Sequence, residues 1–269
     1  MEEQHAIGPE LYDRSYYLRS LPGLEHLEDP EVIDTAAEET IRFGSIKAGD
    51  RVLDFGCGRG SLAIVLAKEG SSVLGVDFSR DAIDFAQEYR KRFAEEIQKR
   101  TEFRLMTMDE LNWEGEFDVI VLNQVYEHLH DWELEILLSK LKRALKTTGT
   151  LVISTPNLNY IRFLYPLKRL SEFPFKAIKE ILRFFRGRSK HASSLKAFLR
   201  EIFKIRYPES EHTRLHINLQ TPGSIRKFME RRGFSVTVEC IDRRHNLLSR
   251  ATCKWWGETI WLAAIVMEG

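Results

Sequence analysis

Residues 52–60 read Val-Leu-Asp-Phe-Gly-Cys-Gly-Arg-Gly, a buried-strand pattern that runs into three alternating glycines, Gly56, Gly58 and Gly60. Glycine lets a backbone turn sharply or approach a ligand because no Cβ stands in the way. The stretch therefore commits the chain to a strand, a tight ligand-facing turn and a helix opening at Ser61. Phosphate and dinucleotide sites also use glycine-rich turns, so spacing has to separate them. A dinucleotide turn follows G-x-G-x-x-G and seats a pyrophosphate on the helix N-terminus. Here the glycines follow G-x-G-x-G, and the phosphate loop G-x-x-x-x-G-K-[ST] is absent. Asp54 stands two residues before the first glycine. A carboxylate there repels a pyrophosphate and attracts a ligand that carries an ammonium group, which argues against a nicotinamide oxidoreductase.

Around this turn the pattern alternates as parallel α/β units do. Helical spacing over 31–43 leads to a turn at Gly49-Asp50. Strands are expected at 51–55, 72–76, 102–107, 117–122 and 150–155, with helices at 61–69, 79–99 and 132–146. Residues 157–212 break the alternation with basic, helical sequence punctuated by Pro166, Pro174, Gly187 and Pro208. Within it, the periodicity predicts amphipathic helices near 175–185 and 193–202. A helix at 222–232 and strands at 234–241 and 258–267 complete the chain. The division is thus 1–156 with 213–269 as the main domain, its N-terminal part a helical cap, and 157–212 as an inserted lid or partner-binding segment.

The stretch at 52–60 resembles the first motif of class I S-adenosylmethionine-dependent methyltransferases, whose pattern is close to V-L-D-x-G-C-G-x-G. The resemblance covers about 200 of the 269 residues and is strongest at 51–60, 73–79 and 117–130. It implies a Rossmann-like seven-stranded, mostly parallel sheet in the order 3-2-1-4-5-7-6, helices on both faces, and a helical insertion after strand five. It also implies S-adenosyl-L-methionine as cofactor, bound beyond the carboxyl ends of the strands at the switch point.

Site residues carry over position by position. Asp54, Gly56, Cys57, Gly58 and Gly60 form the turn beside the cofactor. Asp77 ends the second strand about 20 residues on and can accept both hydrogen bonds of a ribose diol, or else cap the next helix. Phe78 would lie against the adenine. Met108, Asp109 and Glu110 follow the third strand, and the resemblance assigns Asp109 to the adenine amino group, with Glu110 the neighbouring alternative. Asn123 borders the methionine part. Tyr12, Tyr16 and Tyr17 resemble an aromatic lid over the cofactor, Tyr17 foremost, although packing of a capping helix accounts for them too.

Glu127 and His128, in Val-Tyr-Glu-His-Leu, resemble a segment of quinone-type and related small-molecule methyltransferases. Their place at a strand end puts them near the transferred methyl. A histidine that titrates near neutrality can take the proton an oxygen or nitrogen acceptor loses, or it can simply order the turn. His216, in His-Ile-Asn-Leu-Gln-Thr-Pro, resembles the entry to the last helix. In some relatives such a histidine joins the Glu-His pair and a further glutamate to hold a divalent metal. This chain has Gln124 where that glutamate would lie, and no metal is expected.

Composition narrows the setting. No run of about 18 apolar residues occurs, so no membrane span is expected. The acidic N-terminus argues against a secretory signal, and Cys57, Cys240 and Cys253 show no pairing pattern. A reducing, cytoplasmic setting follows. The whole chain is neutral, with 40 basic and 40 acidic residues. Residues 1–40 nevertheless carry 11 acids against Arg14 and Arg19, and residues 159–206 carry 13 Lys or Arg against Glu172, Glu180 and Glu201. Such asymmetry suggests an anionic partner, contact between the two segments, or two solvated helix faces. The acceptor is expected to be a small molecule. A lipid or RNA acceptor reached through the basic insertion, or a catalytically inactive binding subunit, is the alternative.

Overall fold

The computed structural model describes residues 8–19, 35–168, 170, 178, 211–241 and 257–267. The chain divides into two compact units, Met1–Asn157 with Ser210–Gly269, and Leu158–Glu209. The first unit is built on one sheet. Strand β1 (Arg51–Phe55) lies at its centre, because Val52 and Leu53 point to opposite faces and both are buried. It pairs in parallel with β2 (Ser72–Asp77) on one side and β4 (Phe117–Asn123) on the other. Strand β3 (Thr101–Leu105) extends the β2 edge, and β5 (Leu145–Pro156) follows β4. The last strand, β7 (Thr259–Val266), runs antiparallel between β5 and β6 (Phe234–Ile241). The order is β3-β2-β1-β4-β5-β7-β6, as the resemblance implies.

Helices cover both faces. On one, Val52, Val73, Val119 and Val121 pack with Ala63, Leu66 and Ala67 of α3 (Ser61–Lys68) and with Phe43 of α2 (Thr35–Gly44). On the other, Leu53, Leu74, Ile120 and Leu122 meet α6 (Asp131–Ala144). That helix buries Leu134, Leu137, Leu138 and Leu141, the i, i+3, i+4, i+7 face of an amphipathic helix. Each such side chain contributes about 1.5–3 kcal/mol on leaving water.

The helix expected at 79–99 is two helices, α4 (Arg80–Arg90) and α5 (Glu95–Arg100). Phe93 causes the break: its ring turns inward against Tyr89, with centroids 4.9 Å apart, and Gln98 Nε2 donates to its carbonyl. Strand β5 begins at Leu145 rather than near 150, because Leu145 is buried and pairs with Phe117 before a register irregularity. The helix at the N-terminal side is seen from Thr35, and residues 31–34 of the expected span lie outside the described residues.

In the second unit, a helical run over 158–168 contains a π-helical turn at Tyr160–Leu164. Most of the helices expected at 175–185 and 193–202 lie outside the described residues. Among the described residues no helix is long and apolar enough to cross a membrane.

Candidate active site

Strand order reverses between β1 and β4, and the carboxyl ends of β1, β2, β4 and β5 surround the crevice that this reversal opens. The glycine turn leaves β1 here. Gly56, Gly58 and Gly60 all have positive φ (75°, 51° and 77°), which side chains other than glycine adopt at a cost of roughly 1–2 kcal/mol. Their surroundings differ. A Cβ on Gly60 would stand 2.5 Å from the Phe103 ring, so this glycine lets α3 pack on the sheet. A Cβ on Gly58 would meet only Tyr17, at 3.8 Å, so the backbone at Gly58 is open to close approach. The side chain of Cys57 packs in the core with Phe103, while its amide donates to the Val76 carbonyl.

Asp77, at the end of β2, is buried and fixed across the turn. Its Oδ2 accepts the Gly58 amide at 2.9 Å and its Oδ1 the Ser79 amide at 2.9 Å. Ser79, with its side chain accepting the Ala82 amide, is the N-cap of α4, so Asp77 is not needed for that cap. Asp54 is fully enclosed, and its Oδ2 has no hydrogen-bond partner among the described residues. Burial, reinforced by the neighbouring Asp77 charge, pushes the Asp54 carboxyl up to about 7. Burial also raises Asp77 to about 6, against the opposing pull of amides at Ser79, Gly58 and Phe78.

An aromatic cover closes this end. Helix α1 (Arg14–Arg19) and the turn before it bury Tyr12, Tyr16 and Tyr17 against Phe78 and Phe85. Ser79 Oγ–H donates to the Tyr12 carbonyl at 2.7 Å and the Arg14 amide donates to Asp81 at 2.9 Å, anchoring the segment on α4. Burial, with Tyr16, Glu127 and Asp77 nearby, drives the Tyr12 phenol well above its ordinary range. The tyrosines thus bridge the Asp77 end and the Glu127 end.

The second cluster forms after β4. Gln124 holds a positive φ of 58°, a strained conformation for this residue type and one often met at functional turns. The short 3-10 turn Tyr126–His128 then brings two of the expected residues forward. Glu127 is buried: Oε2 accepts from Thr155 Oγ1 at 3.0 Å, and Oε1 has no hydrogen-bond partner among the described residues. Burial raises its carboxyl to about 8, against the Thr155 hydrogen bond. His128 Nδ1–H donates to the Leu215 carbonyl at 3.1 Å. A carbonyl can only accept, so this bond fixes the tautomer and puts the lone pair of the neutral ring on Nε2. His216 stands beside it, with ring centroids 5.0 Å apart. One ligand atom from each of Glu127, His128 and His216 lies within 4.8 Å of the others. Chemically this set can pass a proton or supply three ligands to a divalent ion.

The remaining expected residues lie at the end of β4 and after β3. Asn123 Oδ1 accepts from Ser154 Oγ at 2.6 Å. Asp109 is exposed on the 3-10 turn Met108–Glu110, and Met108 packs against the core. Glu110 is committed to a capping box, accepting the Thr107 amide at 2.7 Å and its hydroxyl at 2.9 Å. Sequence reasoning missed Thr155, whose place at the end of a buried strand was the available signal. It also missed Lys140, whose Nζ donates to the Met108 and Asp109 carbonyls at 3.0 and 2.7 Å. No pattern in the sequence marks that tether.

The family model for a methyltransferase domain matches residues 24–239. The chain belongs to this methyltransferase family. Among curated relatives, the ubiquinone biosynthesis O-methyltransferase of Bradyrhizobium diazoefficiens is 33% identical over 126 residues, covering 47% of each chain. The mitochondrial ubiquinone biosynthesis O-methyltransferase of Rattus norvegicus is 31% identical over 156 residues, 56% of this chain and 44% of that one. The chain thus spans about half the length of the curated relatives it matches. A solved SAM-dependent methyltransferase from Aquifex aeolicus aligns with a TM-score of 0.56 at 16% identity, over 95% of this methyltransferase-family chain and 99% of that one. That likeness is one of fold.

The raised carboxyls make the stability of this methyltransferase domain depend on pH. Asp54 and Glu127 hold protons in the folded chain at pH values where an unfolded chain has released them. Their contribution is therefore complete below about pH 4 and is lost as pH rises through about 7 and 8. Resistance of the ligand-free protein to urea should fall over that window, and Asp54→Asn should flatten the decline. A decline equally steep in that variant would remove Asp54 as a cause.

Proposed function

We propose that the protein is an S-adenosylmethionine-dependent methyltransferase that transfers a methyl group to an oxygen of a small-molecule acceptor. Asp77 carries the reading: a buried carboxylate fixed by two backbone amides at the strand end, beside a glycine turn open at Gly58. These residues fit the cofactor. Asp77 would hold the ribose hydroxyls, Asp54 the ammonium end, and Phe78 with the 108–110 turn the adenine, while Asn123 would border the methionine part. When bound, S-adenosylmethionine supplies a methyl group on a sulfonium.

The chain's own residues supply position and proton transfer. Well-oriented reactants gain about 7–11 kcal/mol over free encounter, and the buried tyrosines keep water from the crevice. His128 Nε2 takes the acceptor's hydroxyl proton, its ring held by the Leu215 carbonyl. Glu127, protonated near neutrality, and His216 orient the acceptor from the same side. Relatives named for ubiquinone biosynthesis O-methylation support an oxygen acceptor on a small molecule. The buried thiol of Cys57 supports a reducing, cytoplasmic setting.

Calorimetric titration with S-adenosylmethionine tests the donor half, where saturable binding below millimolar is expected and no heat at millimolar ligand would overturn it. Radiolabelled methyl transfer in a cell lysate tests the acceptor half. Label should appear in the small-molecule fraction, and label confined to macromolecules would contradict the reading.

A further inference from the structure

The described residues of the second unit present an apolar surface to solvent. Phe163, Leu167, Leu170 and Ile178 are 51–61% exposed. Phe163 and Leu167, four residues apart on the helical run over 158–168, form an apolar stripe along it. Arg162, exposed, and Lys168, its Nζ 6.0 Å from the Tyr160 ring centre, each adjoin a residue of that stripe in the sequence. The charge of the surrounding sequence has one sign. Residues 159–206 carry 13 Lys or Arg against three Glu, a net of about +10, and the rest of this neutral chain carries the opposite charge.

We propose that this segment docks the protein on the surface of an anionic lipid bilayer, the apolar stripe entering the boundary between headgroups and acyl chains. An apolar face flanked by cations is what such an interface accepts, because Lys and Arg stems reach back to the headgroups while the stripe leaves water. RNA phosphates would engage the cations but leave Leu167, Leu170 and Ile178 in water, and base stacking calls for aromatics interleaved with the cations. The acidic remainder of the chain is repelled by the same surface, so attraction is confined to one side of the sequence. The proposed contact is interfacial, and among the described residues no helix is long and apolar enough to cross a membrane. The proposal is independent of which acceptor is methylated.

Sedimentation of the full chain with vesicles tests it. Vesicles of phosphatidylcholine and phosphatidylglycerol in equal parts should bind the protein at least tenfold more tightly than phosphatidylcholine alone. Leu167→Ser with Leu170→Ser should weaken that binding by about tenfold or more while leaving the calorimetric response to S-adenosylmethionine intact. If that pair fails to fold, Arg162→Gln with Lys168→Gln carries the test and should weaken binding roughly fivefold per cation removed. Equal pelleting with both vesicle types, or with neither, overturns the proposal. So does a single-stranded RNA that binds the serine pair as tightly as the parent and displaces the parent from vesicles.

Discussion

Asp77→Ala should weaken S-adenosylmethionine binding about a hundredfold, measured by calorimetry. Both carboxylate oxygens already accept a backbone amide, from Gly58 and Ser79, so the group is held rigid with its remaining lone pairs available to a diol. Two charge-assisted hydrogen bonds are lost in the variant, each worth about 1.5–3 kcal/mol when removed. A hundredfold corresponds to about 2.8 kcal/mol, the lower end of that sum. Asp77→Asn keeps an acceptor without the charge and should lie between the two. Because burial raises the carboxyl to about 6, the parent should bind more tightly as pH rises from 5 to 7, whereas Asp77→Asn should lose that part of the dependence. Unchanged affinity in the alanine variant would mean that the diol lies elsewhere.

His128→Ala should lower kcat by about 10²–10⁴-fold, the usual share of a positioned general base, while cofactor affinity stays within a few-fold. The separation follows from the geometry: His128 is held by the Leu215 carbonyl and stands beside Glu127 and His216, whereas the cofactor contacts proposed here gather around Asp54 and Asp77. Thr155→Val should produce a smaller loss by releasing Glu127 Oε2. If His128→Ala turned over the acceptor at the parent's rate, the histidine would be reduced to ordering its turn.

Much of this architecture was legible because period and punctuation agreed. The alternation of buried strands with amphipathic helices placed β1, β2, β4 and β6 within a residue or so of their observed ends. Local pattern failed where one side chain overrode it. Phe93 broke a helix by turning into the core, and Leu145 started a strand early by pairing with Phe117. The strand order came from resemblance, since no local signal says that β7 slots between β5 and β6. In the site, strand ends announced Asp54, Asp77 and the Glu127-His128 turn. The contacts that fix them join residues far apart in sequence, such as Thr155 with Glu127 and Leu215 with His128, and no window of sequence contains both partners.

One feature at the end of β5 bears on how this chain tolerates change. Asn157 is buried, its side chain donating to the Gly257 carbonyl at 2.9 Å, and its backbone forms a parallel bridge with Gln220. The polypeptide therefore leaves β5 at Asn157 and comes back alongside that residue at Gln220. Closing a loop on fixed, adjacent ends costs entropy that grows only with the logarithm of its length, about 0.6 kcal/mol for each doubling. Insertions of very different size can be carried at this position with nearly the same stability, provided that residues 215–218, which hold the Glu127-His128 turn through the Leu215 carbonyl and the Ile217 and Asn218 amides, keep their place.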